Sequence, residues 1–133
     1  MELVVTVAII GTLASIAIPS FIEFQVEAKA TMSQTNMIQI KQAFANHFFN
    51  SVLDRETKEY PPEPPDNLLT KSWADNTVLY NGRTVSELFS EKEIPYNPYG
   101  NPYYYELLPK TDIEEEGFLL KDLDFGLELE FRP

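Results

Sequence analysis

The apolar and polar positions of this chain change rhythm three times. From Leu3 to Ile22 no residue is charged. As a helix, an apolar run of about 20 residues covers about 30 Å, the hydrocarbon thickness of a bilayer. From Met37 the rhythm is helical but one-sided. Met37, Ile40, Phe44, Phe48 and Val52 recur three or four apart, with Ile38, Ala45 and Phe49 widening the stripe. That pattern predicts an amphipathic helix with one face on a core. Near the end the period drops to two, where Leu127, Leu129 and Phe131 alternate with Glu128 and Glu130. This predicts a strand with one apolar and one acidic face.

Segment 1–53 therefore reads as one long helix, bent or broken at Pro19, where a backbone donor is lost, and weakened at Gly11. Tyr60-Pro61-Pro62-Glu63-Pro64-Pro65 ends it as a rigid connector. Asn81-Gly82 predicts a tight turn, and Thr84 with Glu87 has capping-box spacing, predicting a short helix over 85–91. Strands are expected at Tyr103–Leu108, Phe118–Lys121 and Phe125–Phe131. The fold class is α+β: a helix of about 50 residues, interrupted near Gly11–Pro19, packed on a small antiparallel sheet of about three strands. The expected division is 1–24, a hydrophobic transmembrane or filament-core helix, and 25–133, a globular head.

One acid stands at the edge of the apolar run. Glu2 would cost roughly 2.5–3.5 kcal/mol at a membrane centre, and no Lys or Arg precedes Lys29. Its partner must come from another chain, the chain's own amine or interfacial water. Ala8, Gly11, Ala14 and Ala17 are small enough for close helix approach. A cleaved secretory signal is excluded by the length of the run and its lack of a basic flank.

The segment Met-Glu-Leu-Val-Val-Thr-Val-Ala-Ile-Ile-Gly-Thr-Leu-Ala-Ser-Ile-Ala-Ile-Pro-Ser-Phe closely resembles the N-terminal segment of type IV pilins and type II secretion pseudopilins. Glu2, Gly11 and Pro19 fall on the family's Glu, Gly and Pro. Only Met1 precedes Glu2, where the family has four residues, so a leader and the first mature residues are expected to be missing from this sequence. The resemblance implies unwinding between Gly11 and Pro19 in a fibre, and Glu2, Ala8, Gly11, Ala14 and Pro19 as assembly residues. It implies a structural subunit of a type IV pilus-like filament, with a type II secretion major pseudopilin or a minor, tip-located pilin as alternatives. The implied partners are further copies of the chain, the membrane before assembly, an assembly machinery and a prepilin peptidase. The implied course runs from inner membrane to extracellular filament or periplasmic pseudopilus. Pro95-Tyr96-Asn97-Pro98-Tyr99-Gly100-Asn101-Pro102-Tyr103 resembles the Asp-Pro-Trp-Gly-Asn-Pro-Tyr loop of the major pseudopilin.

Composition narrows the chemistry. The net charge of −11, with acids crowded after Asp112, disfavours nucleic acid. There is no cysteine, no second histidine beside His47, no Gly-rich phosphate loop and no Gly-x-Ser-x-Gly, so no catalytic constellation or cofactor is expected. The acidic excess reads as solvated surface. A weaker reading gives Asp112, Glu114, Asp122 and Asp124 to calcium, whose ligands are hard oxygens. The 17 aromatics, nine Phe, seven Tyr and one Trp, read as core and loop rather than a conduction path.

Overall fold

The protein, seen here as a computed structural model, is described over residues 1–15 and 21–133. It divides into two compact units, Met1–Thr31 and Met32–Pro133. Helix α1 (Glu2–Arg55) contributes to both. The head, from Met32 on, adds α2 (Lys71–Asn76), a single 3-10 turn (Val85–Leu88), and strands β1 (Tyr104–Leu108), β2 (Gly117–Asp122) and β3 (Leu127–Phe131). The α+β class expected from the sequence is the class observed.

The stripe on α1 makes the core. Met37, Ile40, Phe44 and Phe48 are buried, as is Ala45, while Ile38 and Phe49 stay about half exposed. Phe44 lies at the centre, edge-on to Tyr105 (5.1 Å) and Phe118 (5.8 Å) and 6.3 Å from Phe89. Burying a side chain of this size stabilises by about 1.5–3 kcal/mol. The helix stops where Glu56 enters the left-handed region (φ 59) and the proline run follows. Tyr60, at the head of that run, stacks on Phe48 at 4.5 Å and donates to the carbonyl of Glu116. Burial, with Glu116 beside it, pushes its hydroxyl up to about 12.

The sheet order is β1-β2-β3, antiparallel throughout. Tyr105, Leu120 and Leu129 align across it, as do Leu107, Phe118 and Phe131. These rows face the core. The opposite face carries Glu106, Leu119 and Glu130, and pairs Lys121 with Glu128 at 3.6 Å. Gly117 opens β2 because nothing larger fits. A Cβ there would sit 2.0 Å from the carbonyl oxygen of Phe131. The outer edge of β1 is closed by the chain around Leu68: Leu69 N–H donates to Tyr103 O (2.9 Å) and Tyr105 N–H to Asn67 O (2.8 Å).

Several local expectations change. The strand expected from Phe125 begins at Leu127, because Asp122 and Gly126 (φ +65) turn the chain first. The helix expected over 85–91 is only one 3-10 turn, and the Thr84 side chain makes no cap bond. The Asn81-Gly82 turn forms as expected, with Gly82 at φ +80 and Leu79 N–H bonded to Arg83 O. Helix α2 was not expected; Thr70 caps it by accepting from Trp73 N–H at 3.2 Å.

Candidate assembly interface

From Leu3 to Ser15 the first unit is a helix with apolar side chains on every side. Leu3 (77% exposed), Val7, Ile10, Leu13, Phe21 and Phe24 all face outward uncovered. A helix apolar all round is one whose proper surroundings are not water. Its few hydroxyls do not contradict this, since each donates back into its own helix: Thr6 to Glu2 O (3.0 Å), Thr12 to Ala8 O (2.9 Å) and Ser15 to Thr12 O (2.8 Å).

Glu2 lies in the first helical turn, where a carboxylate favours the positive end of the helix dipole. Its carboxylate has no hydrogen bond or ion pair among the described residues. Ala8 lines a shallow apolar depression with Val4, Val5, Ile9, Thr12 and Leu13. Gly11 and Ala14 are exposed, and a Cβ on Gly11 would meet nothing within 4 Å. No steric demand inside the chain calls for glycine there. Pro19, and with it part of the interruption expected at Gly11–Pro19, lies outside the described residues.

The membrane-spanning helix expected over Leu3–Ile22 is not found: among the described residues no helix is long and apolar enough to cross a membrane.

The four acids named for calcium are not one group. Glu114 precedes β2 and pairs with Arg132 (3.2 Å), and Asp112 sits in the same β1–β2 loop. Asp122 and Asp124 lie at the other end of β2. Among the described residues no three His, Cys, Asp or Glu gather as a metal site would require. The reason is the strand between them, which holds the two pairs of acids apart.

Asp122 instead ties three elements together. It is 1% exposed. It accepts from Ser33 Oγ of α1, from Asn97 Nδ2 (3.0 Å), and from the backbone N–H of Asp124 (3.0 Å) and Phe125 (3.4 Å). Ser33 spends its proton on Asp122, so the Tyr103 hydroxyl donates to Ser33 Oγ at 3.0 Å. Asn97 also orders its own loop, its Oδ1 accepting from Tyr99 N–H (3.0 Å) and Asn101 N–H (2.9 Å). The Asn101 and Asn97 amides both donate to Asp124 and hold its carboxyl below the usual range. The loop from Pro95 to Tyr103 is thereby fixed to the β2–β3 turn and to α1.

His47 is buried at 2% exposure between α1 and the chain that follows it. Its Nε2 has no hydrogen-bond partner and lies 3.8 Å from Glu59 Oε2, with the Tyr80 ring 5.3 Å away. Burial lowers its pKa, so the neutral ring is favoured. The position matches a structural histidine rather than a ligand.

This chain is 46% identical over 48 residues to the type IV major pilin protein PilA of Myxococcus xanthus (strain DK1622). The match covers 36% of this chain and 22% of that protein, so the chain spans about a fifth of its curated relative. No family profile and no solved structure matches the chain. The partial likeness supports a pilin-like relationship over the matched residues.

Proposed function

We propose that this chain is the major structural subunit of a type IV pilus-like filament, polymerising through its N-terminal helix. The observation that carries the reading is the helix surface of residues 1–15, apolar on all sides and uncovered. In the membrane that helix stores the subunit, and in the fibre sister helices replace the lipid. Lipid and helix bundle are similarly apolar, so burial alone supplies little net drive for the exchange. An assembly motor must do the work, and a prepilin peptidase must first expose the mature end.

Glu2 sets the register. A carboxylate left unpaired in a low-dielectric core is costly, and a neighbour's amine offsets part of that cost. One contact repeated head to tail without closing yields a helical fibre rather than a ring. Gly11 and Pro19 bound the stretch that unwinds in the fibre, which is tolerable only where protein surrounds it.

A second reading, a type II secretion major pseudopilin, is favoured by the Asn97–Tyr103 loop. Neighbouring genes separate the two: a retraction ATPase marks a pilus, an outer-membrane secretion operon a pseudopilus. A minor, tip-located subunit is the third. Electron microscopy of sheared cell material tests the filament itself. Long fibres containing this chain are expected; a purely membrane-anchored monomer rejects the proposal. Glu2→Ala is expected to insert normally yet form few or no fibres, and normal fibres from it remove Glu2 from the mechanism.

A further inference from the structure

An apolar groove lies open between α1 and β3 of the head. Gln34, Met37 and Ile38 of α1 form one wall, and Leu127, Glu128 and Leu129 of β3 the other, around about 290 Å³. Leu127 and Leu129 are only half-buried and Ile38 is 47% exposed. The same helix face continues to Phe49, 48% exposed, whose ring meets Phe131 at the far end of β3. Along the helix the groove spans residues 34–38, about 6 Å. The two edges of the sheet differ. That of β1 is closed by the chain around Leu68, whereas no described strand pairs with the outer edge of β3.

Resting on the filament reading above, we infer that this α1–β3 groove receives the apolar N-terminal helix of a second copy of the chain. Charge selects that occupant. Of the 21 acids and 10 bases, three acids and one lysine lie in residues 1–31, so the head carries 18 acids against 9 bases. A second head docking here brings −9 against −9, and like charges in a partly desolvated contact repel. Two β3 edges pairing about a two-fold axis would also close a dimer and end growth. Leu3–Ile22 is the long stretch of the chain without a charge. Its exposed Leu3, Val7, Ile10 and Leu13 offer the three-and-four spacing by which a helix fills an apolar groove. Groove and rod lie on different parts of the subunit, so the contact is heterologous and propagates.

The chain has no cysteine of its own, so paired cysteines report without background. Full-length chains carrying Leu129→Cys with Val7→Cys, Ile10→Cys or Leu13→Cys are assembled in a filament-forming host, sheared off and mildly oxidised. At least one pair is expected to give a ladder of linked subunits, since a disulfide needs Cα atoms within about 7 Å. Leu123→Cys, on the exposed β2–β3 turn, combined with the same rod positions is expected to give none. Ile38→Glu is expected to keep the melting temperature of the head while lowering fibre yield roughly tenfold or more. Fibres that form without a ladder, or an Ile38→Glu chain that assembles normally, overturn the groove contact alone. A parent chain that yields no fibres overturns the filament reading and this inference together.

Discussion

Replacing Asp122 by alanine should cost far more than its place among the acids suggests. Its carboxylate collects four donors: the Ser33 hydroxyl, the Asn97 amide, and the backbone N–H groups of Asp124 and Phe125. All of them lie in or beside a site where Asp122 itself is 1% exposed. Truncation removes the acceptor and leaves the donors. Each buried donor without a partner costs about 1–3 kcal/mol. The Asn97 amide keeps its bond to Asp124, and relaxation lets water reach the turn amides, so the working range is about 3–5 kcal/mol. Set against the about 5–15 kcal/mol that stabilises a typical domain, that loss brings the head close to unfolding. The control is Asp124→Ala, two residues on. Asp124 is exposed; when it is removed the exposed Asn101 amide turns to solvent and the buried Asn97 amide keeps its bond to Asp122, so the loss should stay under about 1 kcal/mol. Urea unfolding of the full chain in detergent, followed by near-ultraviolet circular dichroism of the tyrosines and Trp73, measures both. Equal losses in the two variants, or a loss below about 1 kcal/mol for Asp122→Ala, would refute the account of Asp122 as the tie between helix, loop and turn.

Other outcomes follow from single residues. His47 has a folded-state pKa below its usual value because it is buried. The unfolded chain therefore binds the proton first, and the head should lose stability as pH falls through about 6.5, reaching a plateau below the folded pKa. Melting curves at pH 7.5 and 6.0 should differ less in His47→Gln than in the parent; an unchanged gap assigns the dependence elsewhere. Gly117→Ala places a methyl group against the Phe131 carbonyl, and the strands must part or shift. A loss of about 1–3 kcal/mol is expected in the same urea titration, and a neutral result would mean that β3 ends more loosely than drawn.

Much of the architecture could be read from periodicity. The stripe from Met37 to Phe48 and the alternation through Leu127–Phe131 each name their buried face, because a core must lie on one side of each. Turn chemistry was equally direct at Asn81-Gly82. Helix α2 was hidden because six residues are too few to show a period, leaving Thr70 as its only signal. The role of Asp122 was hidden for a different reason. Its partners Ser33 and Asn97 lie 89 and 25 residues away, and no local pattern marks a hydroxyl on one element as the donor for an acid on another. An acid in an acidic stretch reads as surface, or as a cation ligand, until the fold supplies that donor. Ser33 itself carried a legible hint, since it falls four residues before Met37, on the buried face. The rod was the opposite case. Its composition stated plainly that water is not its proper surrounding, and its apolar side chains stay uncovered within the chain.

The hydroxyls of Thr6, Thr12 and Ser15 are each already satisfied by the carbonyl of an earlier turn. A rod so self-contained makes no demand for a matching donor or acceptor wherever it lies. Among residues 1–15, Glu2 is then the one side chain whose charge still calls for a partner or for water.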